Sequence, residues 1–162
     1  MSETVQVVSF KLGSEEYGVD IAQVQEINRM VAITHVPRAP QFMEGVINLR
    51  GQLIPIIDLR TRFGMPRVEH TKSTRIVVTE IGTKRIGMVV DSVSEVLRLA
   101  LDQIEPAPEM ITGVDTEYIR GVGKIEDRLI ILLDLARIIS ISEKRELEAA
   151  DALPEALAVA VG

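Results

Sequence analysis

The second half of this chain repeats its first, which restricts the fold to a duplicated architecture before any single residue is considered. Val8 to Ile27 aligns with Val77 to Val96 at a shift of 69, with Val8/Val77, Gly13/Gly82, Gly18/Gly87, Val24/Val93 and Glu26/Glu95 identical. Phe42 to Phe63 then aligns without gaps with Tyr118 to Ile139 at a shift of 76. There Gly45/Gly121, Val46/Val122, Leu53/Leu129, Ile54/Ile130, Asp58/Asp134 and Leu59/Leu135 match, six of 22 positions. Duplication creates two similar units and a seam between them, and such seams are favoured places for binding.

Each copy reads as short strands. Val5 to Leu12 is rich in β-formers, Gly13-Ser14-Glu15-Glu16 is a polar turn and Tyr17-Gly18-Val19 resumes, which predicts a hairpin. Arg75 to Ile81, Gly82-Thr83-Lys84 and Arg85 to Val90 predict its counterpart. The next segment suits a helical face through Ile21, Val24 and Ile27 but also alternates like a strand, so a helical turn followed by a strand is expected in both copies. In the second copy Ser92 and Glu95 have capping-box spacing. Pro37 to Pro40 and Pro106 to Pro108 stiffen a loop in each. A tighter hairpin comes next, Gly45 to Leu49 and Gln52 to Ile57 around Arg50-Gly51, whose glycine suits a positive φ. Its counterpart is Gly121 to Ile125 and Arg128 to Leu133 around Glu126-Asp127. Asp58 and Asp134 close these strands, where a carboxylate can cap a short helix, so both read as structural.

Many short strands with regular turns and an internal repeat indicate an all-β protein of two similar small barrels. The expected lobes are residues 5–65 and 74–140 of one domain spanning 1–162, joined by a connector from Gly64 to Ser73. A lobe of about 65 residues is marginal alone, so the two should share an apolar contact and fold together. Phe10, Tyr17, Phe42, Phe63 and Tyr118 fall at apolar positions and are expected in the core. Residues 142–162 read as a helix-prone segment interrupted at Pro154 and then a loose tail.

Composition narrows the function. Hydrophobic residues make up 46%, enough for a packed core, while no apolar run approaches the roughly 20 residues of a membrane helix. The first residues, Met1 to Thr4, carry no signal-like pattern and cysteine is absent, so a cytoplasmic setting without disulfides or thiol chemistry is expected. A formal charge of −6 opposes attraction to phosphate backbones and anionic lipid. With 3% aromatics and no Trp, stacking platforms for bases are missing as well.

Catalytic and metal constellations are not found. His35 and His70 lack ligand spacing and read as solvated. Gly121-Val122-Gly123-Lys124 is followed by Ile125, so it does not satisfy the phosphate-loop pattern. Glu15-Glu16 lies in a predicted turn, and the charged run Glu143 to Glu148 reads as the wet face of a terminal helix. What stands out is divergence at the hairpin tips: Asn48-Leu49-Arg50-Gly51-Gln52 in one copy becomes Lys124-Ile125-Glu126-Asp127-Arg128 in the other. Preserved cores with unlike tips suit two different partners, and simple drift at a tolerant surface accounts for them nearly as well.

The run from Gly45 to Arg60, GVINLRGQLIPIIDLR, resembles the CheW family of bacterial chemotaxis coupling proteins. Tyr17 to Ile21, Val24 to Ile27, Gly87 to Asp91 and Pro106 to Pro108 are similar in order and spacing, and the likeness covers about Val5 to Ile139. The resemblance implies a non-enzymatic adaptor of two SH3-like five-stranded barrels with a few short helices, without metal or other cofactor. It would join the regulatory domain of the histidine kinase CheA, itself a double barrel, to the cytoplasmic tips of chemoreceptors in arrays beneath the inner membrane. Carried over by position, the receptor-facing groove between barrels would include Val24, Glu26, Gly45, Val46, Asn48, Arg50 and Met88. Gly51, Pro55, Asp58 and Asp134 match the motif in structural roles, and the kinase contact would use exposed loops and strand ends not assignable by residue. The competing reading is a small-molecule or nucleotide-binding protein using the cleft between barrels.

Overall fold

The computed structural model describes residues 3–37, 43–66, 68–106 and 118–138. The β-branched run at the start forms β1 (Thr4–Leu12), Gly13 turns it at φ 62, and β2 (Glu15–Asp20) returns. Asp20 then accepts a hydrogen bond from the Ala22 N–H at 2.9 Å, which supports a 3₁₀ turn at Ile21–Gln23 before β3 (Val24–Arg29). The tight hairpin is β4 (Met43–Leu49) and β5 (Gln52–Asp58), turned by Arg50 and Gly51 at φ 51 and 86. Asp58 caps α1 (Leu59–Arg62) by accepting from the Arg60 N–H at 3.0 Å. The second copy supplies β6 (Arg75–Ile81), β7 (Lys84–Val90), β8 (Ser92–Ala100), the two-residue β9 (Ile104–Glu105), β10 (Ile119–Ile125) and β11 (Arg128–Leu133). Asp134 accepts from the Arg137 N–H at 3.2 Å, the same capping role as Asp58.

The strands make two sheets, ordered β3-β6-β7-β5-β4 and β8-β1-β2-β11-β10-β9. These do not follow the sequential lobes expected at 5–65 and 74–140. Each copy lends its first hairpin to the other copy's sheet, so one barrel is the continuous stretch from β3 to β7 and the other joins β1 and β2 to β8 through β11. After β2 and again after β7, the chain crosses over and its next strand pairs with the first strand of the other copy. The repeat is kept through this exchange. Gly18 stands opposite Leu132 and Gly87 opposite Ile56 in matching parallel pairings, and the β1·β8 and β3·β6 ladders share one bulge position. Thr34 bridges Val46 just as Glu105 pairs with Val122, closing each barrel along its open edge.

Exchange explains why several strands are buried on both faces. Ile54, Ile56 and Ile76 fill one barrel, and their counterparts Ile130, Leu132 and Val7 fill the other. Between the sheets lies the largest cluster, which takes Phe10, Tyr17, Ile131 and Leu133 from one sheet and Val77, Met88 and Val90 from the other. Phe10, Tyr17, Phe63 and Tyr118 form a ladder of ring contacts through it, with centroids 5.8–6.0 Å apart. The shared apolar contact expected from lobe size is therefore present. Phe42 and residues 142–162 lie outside the described residues.

One local expectation fails. The second copy has no helical turn before its strand, because β8 begins at Ser92 and position 89, the counterpart of Asp20, is a valine with no cap to offer.

Candidate partner-binding site

β3 and β4 are the edge strands of the five-stranded sheet, and closing that sheet into a barrel brings them together. Arg50, held at φ 51 in the β4–β5 turn, reaches across this seam, and its Nη2 donates to Glu26 Oε1 at 2.8 Å. The Arg50 side chain remains 71% exposed and that of Glu26 24%. The hydrogen bond from Arg50 holds the Glu26 carboxyl below its ordinary pKa, against the opposing effect of desolvation, with smaller help from Asn28 and Arg85. Asn48 Oδ1 accepts from the Gly51 N–H at 2.9 Å, which fixes the turn that carries Arg50.

A polar chain continues around the same end of the barrel. Gln25 donates to Glu80 at 3.0 Å, Arg85 Nε lies 3.6 Å from Glu80, and Arg85 also donates to the Gln52 side chain. Ile27 and Leu53 add exposed apolar surface on β3 and β5.

At the equivalent end of the other barrel the wiring is reversed. Glu95 matches Glu26, but Arg128 replaces Gln52 and Glu16 replaces Arg85. Arg128 ion-pairs with Glu16 and, at 2.8 Å, with Glu95; these hydrogen bonds hold its guanidinium charged well above the usual range. The same carboxylate is neutralised in both copies, by a cation from the β4–β5 turn in one and from β11 in the other. Beside Arg128 opens a cleft of about 420 Å³ bordered by Lys11, Glu15, Asp127 and Leu129.

These positions correct the carried-over site. All seven residues belong to one barrel, on β3, β4, the β4–β5 turn and β7; Val24 and Met88 face the cluster shared with the other barrel, while Gly45, Asn48 and Arg50 lie at that barrel's own closure. Val46 and Met88, 4% and 2% exposed, face apolar clusters and offer no surface. Gly45 serves closure, since a Cβ there would sit 2.1 Å from the Thr34 carbonyl oxygen. Glu26, Asn48 and Arg50 meet at this seam, whereas Val24 is partly buried against the shared core. Pro55 lies in β5 one residue before the pairing with β7 begins, where its missing N–H leaves that ladder intact.

Glu15 and Glu16 are not free turn carboxylates. They open β2, where Glu15 accepts from the Tyr17 hydroxyl at 2.8 Å and Glu16 meets Arg128. His35 and His70 are exposed, and among the described residues no group of three or more His, Asp or Glu side chains could hold a metal. Sequence reasoning missed Arg85 and Glu80, and marked Arg128 only as part of a divergent hairpin tip. The signal was the paired change from Gln52 and Arg85 to Arg128 and Glu16, readable only once those strands are known to be neighbours.

The CheW-like domain matches residues 6–143. The chain belongs to the CheW-like family. The chemotaxis protein CheW of Klebsiella aerogenes is 44% identical over 134 residues, covering 83% of this chain and 81% of that protein. A probable chemotaxis protein CheW of Rhizobium etli is 36% identical over 138 residues, covering 85% and 89%. The crystal structure of the CheW scaffolding protein from Thermoanaerobacter tengcongensis superimposes with a TM-score of 0.76 at 41% identity, covering 83% of this chain and 87% of that one. The all-β fold of two SH3-like barrels is thus a CheW-like fold. Among the described residues no helix is long and apolar enough to cross a membrane.

Proposed function

We propose that this CheW-like chain is a non-enzymatic chemotaxis scaffold that couples the regulatory domain of the kinase CheA to the cytoplasmic tips of methyl-accepting chemoreceptors. It works in the cytoplasm, recruited to arrays beneath the inner membrane. The observation that carries this reading is the Arg50–Glu26 pair, solvent-facing on one side and set on a barrel edge beside Ile27 and Leu53.

A receptor tip is a helical hairpin, and its apolar stripe can rest on the exposed aliphatic residues while the polar rim sets its angle. Arg50 uses one N–H on Glu26, which orients the guanidinium and leaves further donors for a partner carboxylate or helix-end carbonyl. Such a charge-assisted contact contributes about 1.5–3 kcal/mol once water is excluded.

The kinase regulatory domain meets a different barrel end. The reversed wiring around Arg128 gives the chain two unlike faces on one scaffold, and unlike faces are what an alternating assembly requires.

The test is NMR shift mapping with a receptor-tip hairpin and the kinase regulatory domain added separately. Two distinct perturbed surfaces are expected, with Arg50 and Glu26 inside the receptor-dependent one. A single surface shared by both partners would mean competition and end the coupling reading.

A further inference from the structure

At the far end of β3 and β6, roughly 10–16 Å from Glu26 and Glu80 along the strands, Arg29 and Arg75 stand directly opposite each other. Like charges in cross-strand register destabilise a sheet, so this pair works against the fold that carries it. Among the described residues no carboxylate forms an ion pair with Arg29, Arg75 or Lys72.

The loop preceding β6 keeps the third cation beside them. Arg75 Nη1 donates to the carbonyls of Lys72 and Thr74 at 2.8 and 2.9 Å. Thr74 Oγ1 accepts from the Thr71 N–H at 2.8 Å, and Thr71 Oγ1 accepts from the Ser73 N–H at 3.1 Å. Together with Met30 and Thr71, the three cations line a cleft of about 430 Å³.

The repeat shows that this arrangement is not demanded by the barrel. At the equivalent register of the other sheet Gln6 faces Arg98, a single cation with a neutral partner. A chain of net charge −6 thus gathers at one place three cations that no carboxylate among the described residues ion-pairs, where the equivalent register of the other sheet holds one.

We propose that this cleft docks a carboxylate-rich segment of a partner protein, separately from the Arg50 end. The three cations are spread over a strand pair and a loop with Met30 between them, which fits several carboxylates along a peptide better than one compact anion. The remaining charge of the chain repels extended anionic surfaces such as membranes and nucleic acids, whereas a short acidic segment feels mainly the local cations.

The experiment titrates the full chain with a synthetic hexapeptide of alternating Asp and Glu, followed by NMR and calorimetry at low and physiological salt. Expected are shifts centred on Arg29, Lys72 and Arg75, an affinity that falls with salt, and at least about a tenfold loss in the double variant Arg29→Ala/Lys72→Ala. Arg98→Ala leaves the affinity unchanged, and Arg29→Ala alone holds or raises the melting temperature because a like-charge contact is relieved. Lys72→Ala, in an exposed loop, keeps the binding test valid if the double variant misfolds. An equal loss with Arg98→Ala, or a lowered melting temperature with Arg29→Ala, would overturn the proposal. So would inorganic phosphate binding as tightly as the peptide, or anionic phospholipid vesicles binding in a way the double variant abolishes.

Discussion

The guanidinium of Arg60 closes on the carboxylate of Asp91, with Nε 2.8 Å from Oδ1 and Nη2 2.5 Å from Oδ2. Arg60 belongs to the helix that follows β5, and Asp91 is where the chain leaves one sheet for the other. Asp91 also accepts from the Gly13 N–H at 2.8 Å, and its own N–H donates to the Lys11 carbonyl at 3.0 Å. One residue thus ties the exchanged hairpin of β1 and β2 to the opposite barrel. No counterpart exists in the first copy, where Ala22 occupies the matching position.

Asp91→Asn removes the ion pair while keeping the side-chain shape. The expected cost is about 1.5–3 kcal/mol, measured by denaturant unfolding. Its pH dependence has a definite sign. Hydrogen bonding from Arg60, reinforced by the Gly13 N–H, lowers the folded-state pKa of Asp91, so its contribution is complete above the ordinary carboxylate value of about 3.9 and fades as pH falls through the lowered one. The gap between native and variant stability is flat from neutral pH to about pH 5 and shrinks below about pH 4. A gap that stays constant down to pH 2 would mean Asp91 is not held ionised by folding.

Gly87→Ala overpacks one barrel, because the new Cβ would lie 2.5 Å from Ile56 Cδ1 and 2.9 Å from Ile76 Cγ2. A loss of about 1–3 kcal/mol is expected, with recovery in Gly87→Ala/Ile56→Val, which deletes the clashing methyl. Gly18→Ala meets Ile130 and Leu132 at 3.1 Å and costs less. Calorimetric melting of the variants decides the order, and a larger loss at Gly18 would contradict the packing described.

Local features were legible because their causes are local. Glycines at φ 62 and 63, aspartates that cap the next turn, and β-branched runs all report their structure within a few residues. The choice of sheet was not. The hairpins of β1–β2 and β6–β7 carry the same apolar pattern, with Gly18 and Gly87 in the same parallel register, so either could complete either barrel. The short crossings at Asp20–Gln23 and Asp91 decide, and no periodicity encodes their direction. For the same reason resemblance pointed to Glu26 and Arg50 yet also drew in Met88, since a family match does not say which face of a strand is buried.

Arg50→Ala keeps the melting behaviour, because an exposed ion pair adds little to stability, but weakens binding to a receptor-tip hairpin at least about tenfold. Glu26→Gln produces a smaller loss, since the cation survives and only its orientation is released. Isothermal titration of both variants with the hairpin measures this. Native affinity in Arg50→Ala would remove that residue from the site.

Cutting the chain within the connector between Gly64 and Ser73 separates the two sequence copies but leaves neither sheet whole. The first fragment holds β1 and β2 of one sheet and β3 to β5 of the other; the second holds the complement. Each fragment alone keeps its hairpins but lacks the strands that join them into a sheet, and leaves half of the shared cluster around Phe10, Tyr17, Val77 and Met88 exposed. Both are therefore expected to be unfolded by circular dichroism and to regain β-structure when mixed in equal amounts, at concentrations where association offsets the lost covalent link. Had the copies folded as separate lobes, each fragment would keep its own strands and mixing would add nothing. Independent folding of either fragment is thus the outcome that would sink the exchanged topology.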